Sequence, residues 1–116
     1  MAELRLCKSL DDVNEMIAES NDKVVLLFKH STTCPISAVA NNEVAAFASR
    51  NDNVSVWKVQ VLENRPVSIH IADITGITHQ SPQVILFKNG KAVWDASHYR
   101  INNAGMQKAV EDNTDK

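Results

Sequence analysis

The unbroken apolar run Val24-Val25-Leu26-Leu27-Phe28 constrains what this chain folds into more than any other feature. A strand points successive side chains to opposite faces, so a run with no polar member must be covered on both sides. That puts it at the centre of a largely parallel sheet with helices on both faces. Close behind it comes Thr33-Cys34-Pro35-Ile36-Ser37. Pro35 suits the first position of a helix, where the N–H it lacks has no partner anyway. The segment therefore reads as a buried strand that turns into a helix at Cys34.

A cysteine at that point has chemical meaning. A helix N-terminus carries about half a positive charge and several unpaired N–H groups, which favour a thiolate over a thiol. Cysteines in such places have pKa values of about 3.5–7.5, against about 8.5 when free. Ser37 stands where a dithiol redox site would carry its second cysteine. The pattern points to a one-cysteine thiol–disulfide site; a small buried cysteine at a helix start is the plainer alternative.

Composition narrows the classes. A chain of 116 residues fits one domain, 1–116, and 44% hydrophobic residues can build a core. A formal charge of −2 with no basic face argues against nucleic acid. No apolar run approaches a membrane span, and Met1-Ala2-Glu3-Leu4-Arg5 lacks the apolar core of a signal peptide, so the expected location is cytoplasmic. In that reducing compartment the two cysteines, Cys7 and Cys34, would stay free. Two cysteines and four scattered histidines do not make a metal site.

Along the chain, residues 3–7 read as a strand with Leu4 and Leu6 on one face and Arg5 and Cys7 on the other. Ser9 caps a helix carrying Leu10, Val13 and Ile17, with Asp11 and Asp12 in its first turn. The helix from Cys34 turns Ile36, Ala40, Val44 and Phe47 inward. Val54–Val61 is a strand. Arg65-Pro66 opens a helix with Val67, Ile71 and Ile74 in register, ended by Gly76. Val84–Phe87 and Lys91–Asp95 form a hairpin about Asn89-Gly90, because a type I′ turn needs positive φ at both central residues. Asn102 or Asn103 caps a last helix to about Val110, followed by a frayed tail at 111–116. The result is an α/β fold, a mixed sheet of about five strands flanked by about four helices.

This order resembles the thioredoxin fold over nearly the whole chain, Leu4 to Val110. Ser81-Pro82 occupies the place of that fold's cis-proline, which implies a cis bond here. Lys29-His30-Ser31, Thr33-Cys34-Pro35-Ile36-Ser37, His79-Gln80-Ser81-Pro82-Gln83 and Trp94-Asp95-Ala96-Ser97-His98 together resemble the monothiol bacilliredoxins. These are cytosolic proteins linked to bacillithiol, a small carboxylate-bearing thiol. The resemblance implies that Cys34 is the nucleophile, accepting bacillithiol from a protein mixed disulfide, with bacillithiol as co-substrate and no bound cofactor. It implies docking of an extended cysteinyl segment at Thr33, Pro82 and the backbone of Ser81. Pro35 and Ser37 support the site. Ser37 either donates to the Cys34 sulfur or bonds backbone.

Lys29, His30 and His79 are the candidates for ligand carboxylates. Strand alternation puts Lys29 and His30 on opposite faces, so at most one points at a ligand. Trp94 reads as packing, and His98 takes no role. Cys7, toward a sheet edge, does not resolve Cys34. Partners would be bacillithiolated proteins, bacillithiol and a further redoxin or reductase. Two other functions fit the residues: a glutaredoxin-like reductant of general mixed disulfides, and a non-catalytic redox sensor or adaptor.

Overall fold

The computed structural model describes residues 4–114. Five strands and four helices alternate: β1 (Leu4–Leu6), α1 (Leu10–Glu19), β2 (Val25–His30), α2 (Pro35–Arg50), β3 (Ser55–Gln60), α3 (Arg65–Thr75), β4 (Gln83–Lys88), β5 (Lys91–Ser97) and α4 (Asn103–Asp112). A short 3-10 turn, His98–Arg100, joins β5 to α4. The strands lie in the order β1-β3-β2-β4-β5. β1, β3 and β2 run parallel, while β4 is antiparallel to β2 and β5 to β4.

The apolar run becomes the central strand, as its composition requires. Leu26 and Phe28 enter one core with Val44 and Phe47 of α2 and Met106 and Val110 of α4. Val25 and Leu27 enter the other with Val13 and Met16 of α1 and Val67 and Ile71 of α3. Leu26, Leu27 and Phe28 are fully buried, and each such side chain contributes about 1.5–3 kcal/mol.

Local signals set the ends of the elements. Ser9 Oγ accepts from the Asp12 N–H at 3.1 Å, and the Asp12 carboxylate accepts from the Lys8 N–H at 2.9 Å. Gly76 ends α3 with φ 72°. Asn89 and Gly90 take φ of 53° and 78°, the type I′ hairpin. That turn is pinned to α1, for the Asn89 N–H donates to Ser20 O at 2.7 Å and the Gly90 N–H to Ser20 Oγ at 2.9 Å. Of the two candidate caps for α4, Asn102 is the one used, accepting from the Gly105 N–H at 2.7 Å.

Several side chains depart from the periodicity. Leu10 and Ile74 are exposed, and Met16 joins Val13 as a buried residue of α1. On α2 the inward residue of the first turn is Ser37 rather than Ile36, which is only half-buried. In β1 the covered face carries Arg5 and Cys7, with the Arg5 guanidinium 4.1 Å from the Trp57 ring centre. The last helix runs past Val110 to Asp112. Glu3, expected in the first strand, and residues 115–116 of the expected frayed tail lie outside the described residues.

Candidate functional site

Register brings three segments to one end of the sheet. Lys29, near the end of β2, pairs with Gln83 at the start of β4, and Gln83 pairs with Ser97 at the end of β5. The Cys34 loop leaves β2 at that end, Ser81-Pro82 enters β4 there, and His98 leaves β5 there. The Ser81–Pro82 peptide is cis, as the resemblance implied.

Cys34 is the residue before α2, in extended conformation with φ −101° and ψ 121°, and its side chain caps nothing. It is half-buried. Pro35 follows at the first helical position, and no acidic residue in that turn opposes the positive end of the helix. The Cys34 N–H donates to Ser31 O at 3.4 Å, so the approach loop is a tight turn. Thr33 is exposed beside the sulfur-bearing residue, its hydroxyl 3.3 Å from Ser31 Oγ.

Of the two readings of Ser37, the backbone one holds. Its Oγ accepts from the Ser31 N–H at 2.9 Å and lies 2.7 Å from His30 Nδ1. Ser37 is fully buried. With one lone pair on the Ser31 N–H, the hydroxyl's other lone pair and its proton face Nδ1, so the tautomer of His30 sets which of the two donates. Burial first, then the Lys58 ammonium, lowers the His30 pKa, against the opposing pull of Glu63. The imidazole also packs on Phe28, ring centres 5.2 Å apart. His30 and Ser37 thus tie the strand end to the first turn of α2, with the Cys34 loop between them. His30 stood among the candidates as a ligand contact; its hydrogen bond makes it a brace instead.

Lys29 corrects an expectation. It is fully buried, so a ligand carboxylate at the surface cannot reach it. Its Nζ lies 3.3 Å from His79 Nδ1, and Ser68 Oγ lies 3.0 Å from the same nitrogen. An ammonium can only donate, so Nδ1 accepts and the ring proton sits on Nε2. Burial pushes the Lys29 pKa from 10.5 to about 8. Burial, with Lys29 and Arg65 as like charges, also lowers His79. His79 itself is exposed. The alternation argument holds: Lys29 faces α3, and His30 faces α2.

Pro82 is buried, and its C=O accepts from the His98 N–H at 3.0 Å. Among the described residues, no hydrogen bond engages the N–H or C=O of Ser81. Ser81 Oγ and Gln83 Oε1 are buried without partners. Trp94 packs against the α2–α4 core. Cys7 is 1% exposed, and burial, then the Asp12 carboxylate, pushes its thiol up to about 12. Among the described residues no cluster of His, Cys, Asp and Glu could hold a metal ion, and no helix is long and apolar enough to cross a membrane.

The sequence profile of the monothiol bacilliredoxin BrxC matches residues 5–106. The chain belongs to the monothiol bacilliredoxin family. A solved thioredoxin-fold structure with a provisional oxidoreductase label is 35% identical, covers 91% of this chain and 92% of its own, and superposes with a TM-score of 0.85. Fasciola hepatica thioredoxin, 20% identical over 95% of this chain and 99% of its own, gives 0.77. A thioredoxin mutant from Halobacterium salinarum, 21% identical over 98% and 93%, gives 0.78. The last two carry the fold alone. Family and fold together support a thiol redox function.

Proposed function

We propose that this protein removes bacillithiol from protein mixed disulfides by a one-cysteine mechanism. The observation that carries the reading is the pairing of an accessible Cys34 with a hydroxyl, not a thiol, locked at Ser37. Membership of the bacilliredoxin family supports bacillithiol as the small thiol.

The target docks its cysteinyl segment against the open N–H and C=O of Ser81, with Thr33 and cis-Pro82 shaping the cleft. The Cys34 thiolate attacks the bacillithiol sulfur of the mixed disulfide. The target–bacillithiol S–S bond breaks as the Cys34–bacillithiol bond forms, and the target leaves as a thiolate. A second bacillithiol thiolate then attacks the adduct, releasing the Cys34 thiolate and bacillithiol disulfide. A further redoxin or reductase serves that second step equally well. Overall the mixed disulfide and one bacillithiol thiolate become the target thiolate and bacillithiol disulfide, and no bound cofactor takes part. Pro35 and the His30–Ser37 brace hold the loop, while Lys29 fixes the tautomer of His79 at the cleft edge. The cytosol, where thiols stay reduced, suits this chemistry.

Intact mass of both proteins after mixing reduced chain with a bacillithiolated target tests the proposal. The target should lose one bacillithiol and this chain gain one, and Cys34→Ala should do neither. A target that stays modified while Cys34 reacts with free disulfides overturns it in favour of a sensor or adaptor. Equal transfer from glutathionylated target would favour a general glutaredoxin-like reductant.

A further inference from the structure

Beside the cis-Pro82 segment lies a cavity of about 450 Å³ that the redox chemistry does not use, lined by Gln80, Asp95, Ser97, His98, Tyr99 and Arg100. Two other depressions sit elsewhere, one about Ser20 and Asn89 and one about Ile17, Ile74 and Ala92. This one borders the cis-Pro82 segment. Gln80 precedes Ser81 in the chain, and the His98 N–H holds Pro82 O at 3.0 Å.

Its walls are built for something polar. His98 takes φ 54°, a left-handed conformation that histidine adopts more readily than most residues other than glycine, and it turns the chain away from β5 here. Tyr99 is 81% exposed, leaving its ring uncovered. Among the described residues, no hydrogen bond or ion pair engages the side chains of His98, Tyr99 or Arg100. A guanidinium offers five donors in a planar fork matched to a carboxylate, and here that fork has no acceptor. Asp95 is the one carboxylate in the wall, facing the opposite charge preference.

We propose that this pocket receives the tail of the small thiol joined to Cys34, with the Arg100 fork taking a tail carboxylate and the Tyr99 ring covering the tail. Gln80, Ser97 and Asp95 meet its hydroxyl or amino groups. The inference rests on the reading that Cys34 accepts bacillithiol. It adds the selectivity that main-chain docking at Ser81 lacks, since that docking serves any cysteinyl segment. A thiol without carboxylate or sugar would gain nothing from the pocket.

Loading of Cys34 is the direct test, because it needs no target protein. The Cys34 thiolate and bacillithiol disulfide exchange to give the Cys34 adduct and one bacillithiol thiolate; cystamine gives the same exchange with a tail bearing no carboxylate. The equilibrium constants of both reactions are measured by intact mass for the natural chain, Arg100→Ala and Arg100→Lys. The ratio of the bacillithiol constant to the cystamine constant should fall about tenfold or more in Arg100→Ala. Arg100→Lys, which keeps charge but loses the fork, should fall between. A ratio that does not change, or two constants that fall together, overturns the pocket assignment. If instead the ratio falls while the natural chain fails to strip a bacillithiolated protein, the pocket stands and the transfer reading fails.

Discussion

Replacing Lys29 by methionine should make the protein more stable. Lys29 is fully buried, and among the described residues its side chain bonds a histidine nitrogen and no carboxylate. Its pKa moves from 10.5 to about 8. At 1.36 kcal/mol per pH unit, holding the charge inside the fold at pH 7 costs about 3 kcal/mol. Methionine keeps the reach and much of the volume without the charge. The lost bond to His79 returns about 1 kcal/mol of that, while Ser68 keeps its own contact to Nδ1. A net gain of about 1–2 kcal/mol is expected, within the range for replacing buried charge by apolar side chains.

The gain should depend on pH. The unfolded chain keeps the Lys29 proton up to 10.5 and the folded chain only to about 8. Between those values the unfolded state binds more protons, so the natural protein gains stability as pH rises and the variant's advantage shrinks. Cys7 works the other way, because its folded thiol holds a proton to about 12 against 9.0; that contribution is lost as pH rises above 9.0. It is common to both proteins and cancels in their difference. Urea denaturation of the pair at pH 7, 8.5 and 10 reads the effect. A variant less stable at pH 7, or a difference that ignores pH, would refute the reasoning.

Three further outcomes are expected. Ser37→Ala leaves the Ser31 N–H without its 2.9 Å acceptor and should lower stability by about 1–3 kcal/mol in urea titrations; no loss would mean the brace is absent. Under native conditions iodoacetamide should label Cys34 alone, with Cys7 reacting only in denaturant, because Cys7 is 1% exposed with a thiol at about 12; rapid double labelling of the folded chain contradicts that burial. Gly76→Ala should cost about 1 kcal/mol, since φ is 72° and no atom lies within 4 Å of the added carbon. A neutral result in thermal melts would count against the left-handed helix end.

The fold was legible because its signals are local and strong. The Val24–Phe28 run, the Ser9 cap and the Asn89-Gly90 turn each name an element with little help from the rest of the chain. The faces were less legible. Ile36 and Ser37 exchange roles because the strand end offers Ser31 N–H and His30 to a buried hydroxyl, a tertiary contact that helical spacing does not encode. Leu10 and Ile74 fit their stripes but fall where the sheet no longer covers them. Within the site, alternation separated Lys29 from His30 correctly and could not say which was buried. The Lys29–His79–Ser68 contact joins β2 and α3 through a loop, so spacing gave no sign of it. The pocket at His98 and Arg100 had one faint signal, a polar run after β5 where core residues end.

A locked hydroxyl at Ser37 also decides how this domain relates to its surroundings in time. Whatever sulfur-borne group Cys34 picks up, no neighbouring thiol within the chain can dislodge it, for Cys7 is sealed in the opposite core. On the proposed mechanism, unloading is therefore a collision with a second molecule, and its speed scales with how much free thiol, redoxin or reductase is present. A chain working this way would idle in the occupied form when reductant is scarce and empty when it is plentiful. On the proposed mechanism, its occupied fraction would follow the supply of reducing thiol, set by the absence of a single sulfur atom.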